Sequence, residues 1–303
     1  MSIIINQNPR AFGIQDVSQA EDVNDVLTQL NVGTFSKVPT QDMPTKFHVI
    51  KDDNGNPLSI VRNTYDLLQP IEAFAFLDSL QNELGFTYEN AGFTHEGNRL
   101  FIQGSLGEFE APSNGSKNVG DVLDKRIVAT TSFDGSRATE IGVQILRVWC
   151  ANGCASWTNE NGIANVKHTR NQRTRLNLAV QQATGIRNII QNLEDDVSTL
   201  SARAFTPKMV EDVSRIVFPN ETKQAESYRE TILSEFDNSD RGTFGETAWD
   251  CFNAFTAWNT HERTLRETKG TSLEESAFRN VGNSRSFAVN VRSAIDKVYA
   301  LTA

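Results

Sequence analysis

No apolar run in these 303 residues approaches the roughly 20 that a membrane-spanning helix needs. The first residues, MSIIINQNPR, lack both the basic opening and the long apolar stretch of a secretory signal, which points to a cytoplasmic protein. Cysteine is scarce: Cys150, Cys154 and Cys251 are odd in number and too few for a disulfide framework. Histidine is scarce too, and none of His48, His95, His168 and His261 stands in an H-E-x-x-H motif. A structural zinc site wants two close pairs of ligands, whereas Cys150 and Cys154 form one pair with only His168 near them in sequence. Those two thiols read instead as buried and reduced on one helical face. No Gly-rich loop is built to cradle a nucleotide phosphate, no G-x-S-x-G elbow presents a nucleophile, and no spacing of carboxylates marks an acid/base pair. No catalytic residue, metal or cofactor is therefore assigned, and the sequence argues against an enzyme.

What is present has the composition of a globular chain, with 38% hydrophobic and 22% charged residues and enough length for one large or two ordinary domains. Residues 16–30 carry Val23, Val26, Leu27 and Leu30 at helical spacing. TKFHVIK and PLSIVRN flank the dipeptide Asn54-Gly55, a strong hairpin signal. A helix at about 71–84 follows, and then two further hairpins. GFTYENAGFTHE and NRLFIQGSLGEFE turn at Gly97-Asn98, and KRIVATTSF and SRATEIGVQILRV turn at Asp134-Gly135. The loop between those hairpins, 111–120, reads as a mobile surface segment. This order predicts an α+β fold, a twisted antiparallel sheet of hairpins with helices on one face, followed by a helical C-terminal region.

From about 171 the pattern is helical. Leu176, Ala179, Ala183, Ile186, Ile190, Leu193, Val197, Leu200 and Ala204 alternate three and four apart, a 3.5-residue period over four heptads. Such a helix is about 45 Å long, and its stripe fits either the chain's own core or an inter-subunit coiled coil. In 248–264, AWDCFNAFTAWNTHERT, the aromatics Trp249, Phe252, Phe255 and Trp258 fit a core-docking helix or a stacking platform for bases. A last helix, about 285–301, has Phe287, Val291, Ala294, Val298 and Leu301 on one face. The organisation is read as a helical arm at 1–44, an α+β core with the long helix at 45–205, and a helical region at 206–303.

Charge is unevenly spread. The chain carries −9, yet Lys125 to Leu193 hold nine basic residues against three acids, a net of +6, and no acid lies between Asn161 and Leu193. Residues 194–250 hold thirteen acids and six bases, a net of −7. Two readings are open: a strip that neutralises phosphates, or a face paired with the acids of the neighbouring segment. On the first reading the contacts are Lys125, Arg126 and Arg137 on the third hairpin, Arg147 beyond it, and Lys167, Arg170, Arg173 and Arg175 at the start of the long helix, with His168 either among them or a satisfied structural histidine.

The segments GNPLSIVRNTYDLLQPIEAFAFLD, ENAGFTHEGNRLFIQGSL, TTSFDGSRA, ILRVWCANGCASW with VKHTRN, AWDCFNAFTAWNTHERT and VGNSRSFAVNVRSAI follow one another over residues 45–298. In that order they resemble a phage and plasmid family known as domain of unknown function 932. The most specific part is Arg147, Val148, Cys150 and Asn152 with His168 and Thr169; Trp149 departs from the smaller β-branched residue expected there. The order of hairpin, helix, long hairpins and helices is also similar to the annealing domain of Rad-fifty-two-type recombination mediators, which phage annealing proteins resemble. That likeness implies a ring-shaped or helical homo-oligomer, cytoplasmic in a bacterial host, that binds single-stranded DNA and anneals complementary strands without ATP. Candidate partners besides the strand are a phage exonuclease or a single-strand binding protein. The alternatives are a structural or interaction protein of a phage or plasmid, and a metal-dependent enzyme acting on nucleic acid.

Overall fold

The computed structural model describes residues 14–94, 98–112, 121–147, 153–155, 164–180, 183–239, 243–259 and 273–302. The main sheet has the order β1 (Ile14–Asp16), β5 (Thr87–Thr94), β6 (Arg99–Ala111), β7 (Asp121–Ser132), β8 (Thr139–Arg147), every pairing antiparallel. Two short strands share the outer edge of β8: β10 (Ala164–Val166) pairs with Thr139–Ile141 and β9 (Gly153–Ala155) with Gln144–Leu146. A separate meander, β2 (Ser36–Pro39), β3 (Phe47–Lys51) and β4 (Pro57–Arg62), stands at one end of this sheet. It is tied there by the Phe35–Phe133 edge-on pair at 4.6 Å, and by Ser59 Oγ and Tyr65 Oη donating to the Phe133 and Ser132 carbonyls, each at 3.0 Å. All three expected hairpins are present. Gly55 and Gly135 take positive φ at two of their turns, the left-handed region open to glycine. Most of the 111–120 loop lies outside the described residues.

Helices α1 (Val23–Gln29), α2 (Pro70–Phe74) and α3 (Phe76–Leu84) precede the long hairpins. The first is shorter than the expected 16–30, because Asp22 caps its N-terminus and residues 14–16 pair with β5 instead. Segment 1–44 thus contributes two strands, β1 and β2, as well as a helix. On one face of the main sheet Leu100, Ile102, Ile127, Ala129, Ile141, Val143 and Ile145 are buried, with α5 (Ala183–Ala202) packed across β6 and β8. Register sets Gly104 on that face opposite Ile127, and the Phe86 ring, 2.3 Å from where a Cβ would stand, leaves no room for a larger residue.

The heptad stripe faces this core. Leu176 on α4 (Gln172–Val180) and Ile186, Leu193, Val197 and Leu200 on α5 are all buried in the chain itself. A coiled-coil seam for a second subunit is therefore not available on these side chains. Periods of 3.5 and 3.6 diverge by only about 20° per heptad, so over this length the pattern alone does not separate the two fates. Cys154 lies in strand β9 rather than on a helix, and Cys150 falls outside the described residues.

The C-terminal region comprises α6 (Pro207–Val217), α7 (Lys223–Phe236), α8 (Ala248–Ala257) and α9 (Leu273–Thr302), the first three capped by Thr206, Thr222 and Thr247. The last helix begins earlier than the expected 285. Trp249, Phe252, Phe255 and Trp258 are buried, with Phe218, Phe255, Trp258 and Phe287 packed ring on ring, so these aromatics serve the core. A backbone bridge joins this region to the end of α5: Phe205 N–H donates to Glu246 O, Ala248 N–H to Arg203 O, and Ala204 pairs with Thr247. Ion pairs Arg292–Asp196 and Arg203–Asp296 reinforce it, at 3.3 and 2.5 Å. One continuous apolar cluster runs from Val17 to Val298. Among the described residues no helix is long and apolar enough to cross a membrane.

Candidate functional site

The basic residues expected as one strip do not form one surface. Lys125 and Arg126 are neighbours on β7, so they point to opposite faces of the sheet. Lys125 lies on the helical side, 2.8 Å from Glu194 of α5 and over the Phe109 ring. Arg126 lies on the other side, buried between Glu89 at 2.7 Å and Asp124 at 2.5 Å. Arg137 is half-buried, its backbone clasped by the Ser132 hydroxyl and its guanidinium 3.8 Å from Glu140. Arg147 ends β8 opposite Leu123; its side chain lies outside the described residues. Of these pairs only Lys125–Glu194 uses an acid of the 194–250 segment.

The remaining five residues come together where β10 runs into α4. Thr169 N–H donates to Lys167 O and Gln172 N–H to Thr169 O, a tight turn that opens the helix. Gln172 is fully buried and its amide donates to Asp66 O at 2.8 Å, which fixes the turn against the segment after β4. His168 points inward: its ring lies 5.2 Å from that of Tyr65, and Nε2 is 3.5 Å from Thr131 Oγ1. Burial lowers its pKa, against the opposing pull of Gln172, the Arg137 backbone, Asp134 and Asp66. Arg173 is half-exposed and bound to Glu72 at 3.0 Å and Asp66 at 3.3 Å, and the Glu72 bond raises its pKa. Glu72 in turn accepts from the Gln69 N–H at the start of α2, so Arg173 has a structural task. Lys167, Arg170 and Arg175 are exposed and make no ion pair with any described residue. Three cations with no ion pair among the described residues therefore occupy one short surface segment, inside the acid-free stretch.

The sequence reading missed a second polar region. Arg99, Gln103 and Ser105 on β6, Asp124, Arg126, Thr130 and Ser132 on β7, and Glu140 and Gln144 on β8 stand at alternate positions on the sheet face opposite α5. Polar residues at alternate strand positions ordinarily meet water, yet Gln103 and Ser132 are 0% exposed and Arg126 is 7%. Register sets Ser105, Arg126 and Gln144 in one row and Gln103, Val128 and Gly142 in the next. A bulge between Tyr88 and Asn90 brings Glu89 beside Arg126, and Ser105 Oγ donates to Asp124 at 2.7 Å. Burial raises the Glu89 pKa despite the Arg126 charge beside it. Among the described residues, both ends of the Gln103 amide, Arg126 Nη1 and Gln144 Oε1 have no hydrogen-bond partner, and a Cβ on Gly142 would meet nothing within 4 Å. Around Arg126 the carboxylates of Glu89 and Asp124 offset the single guanidinium. The alternation was visible in RLFIQGS and DKRIVATTS, but nothing local announced that the face would be buried.

Among the described residues no group of three or more His, Cys, Asp and Glu is placed to hold a metal ion. The family model described as domain of unknown function (DUF932) matches residues 57–281, about three quarters of the chain, and the chain belongs to that family. No curated protein and no solved structure matches it.

Proposed function

We propose that this DUF932 protein binds single-stranded nucleic acid through its phosphates at the β10–α4 junction and promotes pairing of complementary strands without ATP. The observation that carries the reading is the clustering of Lys167, Arg170 and Arg175, exposed and without an ion pair to any described residue, within the stretch from Asn161 to Leu193 that contains no acid. Non-specific affinity for nucleic acid comes chiefly from Lys and Arg displacing counterions, and an acidic molecule offers such a site when its positive charge is focused on one patch. A strand held by its backbone keeps its base edges free, which annealing requires. Lys125, Arg126 and Arg173 are engaged in internal pairs, and this favours a second reading in which the basic segment holds the fold or a partner protein together.

Changing Lys167, Arg170 and Arg175 together to Ala separates the two. Loss of three phosphate contacts should weaken binding to every oligonucleotide sequence alike and flatten the slope of log affinity against log salt by about 2, at about 0.7 per contact. Thermal stability should hold, because exposed charges contribute only about 0–1 kcal/mol each. Strand pairing, followed by fluorescence transfer between labelled complementary oligonucleotides without nucleotide, should fall in parallel. Unchanged affinity and salt slope in a folded variant would overturn the proposal, and magnesium-dependent cleavage of the oligonucleotide would point to an enzyme instead.

A further inference from the structure

Among the described residues, four of the eight exposed large hydrophobic side chains, Val38, Met43, Phe47 and Ile60, fall within 23 consecutive positions, on or beside the three-stranded sheet. The inner face of that sheet is settled: Ile50 and Val61 are buried in the core. Alternate residues therefore face outward, and register sets Val38, Val49 and Ile60 in a single row across all three strands, with Phe47 and Arg62 paired one step away. Ile60 is 68% exposed. A contiguous aliphatic row on a sheet face, rather than a scatter of single residues, is the mark of an interaction surface.

The charges around the row say which surface fits it. Lys46, Arg62 and Asp42 stand at the Phe47 end, a net of +1; Lys51, Asp52 and Asp53 stand at the turn end, a net of −1. None of Lys46, Lys51 and Arg62 makes an ion pair with a described residue. We infer that this face is the contact with a second copy of the chain, about a two-fold axis lying along the Val38–Val49–Ile60 row. That operation lays each side chain of the row on its own copy, as an isologous contact demands. It also reverses the strands, so the positive end of one protomer meets the negative end of the other. An axis parallel to the strands would set like ends together. Aliphatic side chains dominate the patch and only one aromatic ring is present, which suits a protein surface better than stacked bases. Three strands of four to six residues, about 4.8 Å apart, cover roughly 14 by 17 Å, well short of the about 800 Å² per partner of a standard interface. A contact of this size belongs to the weak, transient class, and it does not depend on nucleic-acid binding.

Sedimentation equilibrium of the full chain in 0.15 M salt, from about 10 to about 500 µM, tests it. The wild-type mass should rise towards a dimer across this range, and Ile60→Asp should hold it at the monomer throughout. Arg62→Glu should weaken association about tenfold through like-charge contact. Adding Asp53→Lys to Arg62→Glu reverses both ends at once and should restore it, an outcome that a merely damaged surface does not give. Circular dichroism should show every variant folded, since Ile60 and Arg62 are exposed. A wild-type chain monomeric at the highest concentration, a dimer indifferent to Ile60→Asp, or a charge reversal without rescue would each overturn the inference. So would loss of oligonucleotide affinity in Ile60→Asp with the mass unchanged, which would give the face to the strand.

Discussion

His168 fits two roles in the sequence, a contact to DNA or a structural histidine, and its environment speaks for the second. Its ring is packed on Tyr65 and set against Thr131, and burial holds its pKa below the usual 6.5. A histidine with a lowered folded pKa binds fewer protons folded than unfolded between those two values, so stability rises with pH across that window. The contribution is complete above about 6.5 and is lost as pH falls through the folded pKa. Thermal unfolding between pH 5 and 8 should therefore show Tm falling on the acid side, and His168→Gln should flatten that part of the profile while lowering Tm at neutral pH. A profile identical to wild type would remove the structural account of this residue. Arg126 tells the same story in another way: a candidate cation whose charge is already shared between Glu89 and Asp124 has little left to offer a phosphate.

Elements were legible where the information is local. Asn54-Gly55 and Asp134-Gly135 declare their turns because left-handed backbone is needed there, and the flanking alternation gives the strands. The aromatic helix at 248–257 declares itself through its spacing. The candidate site was half legible: the run without acids is a property of composition, but Asp66 and Glu72, which hold Arg173, lie about a hundred positions earlier and only the fold brings them there. The burial of Gln103 and Arg126 was invisible for the same reason, since alternation sorts residues by face and leaves open what covers each face. The helical stripe was misleading in one of its two readings, because period alone does not name the partner. Its inward use has a measurable consequence. Leu193→Ala should cost about 2–5 kcal/mol in urea denaturation, through lost burial and the cavity left behind, without changing the association measured on the sheet face. A change in mass with little loss of stability would return the stripe to an inter-subunit seam.

Across the whole molecule, charge and packing follow different divisions. The positive segment from Lys125 to Leu193 and the negative one from 194 to 250 are consecutive in sequence, and Lys125–Glu194 joins them. The apolar cluster ignores the boundaries expected at 44 and 205 altogether, taking in Val17 and Val26 at one end and Val291 and Val298 at the other. A shared core should melt as a shared unit. Calorimetry is expected to show one transition whose measured enthalpy equals the van't Hoff value, and two resolved transitions would show a division into separately folding parts.

The bridge between residues 203–205 and 246–248 carries this further, to how such a gene can change. A crossover between two related genes anywhere from α6 to α7 would join one parent's Arg203–Phe205 to the other's Glu246–Ala248, and one parent's Asp196 to the other's Arg292. Hybrids broken at that point inherit two halves of a single clasp from ancestors that never met. Exchange between relatives should therefore be tolerated where both sides of the clasp travel together, and the last hundred residues should descend with the sheet they close.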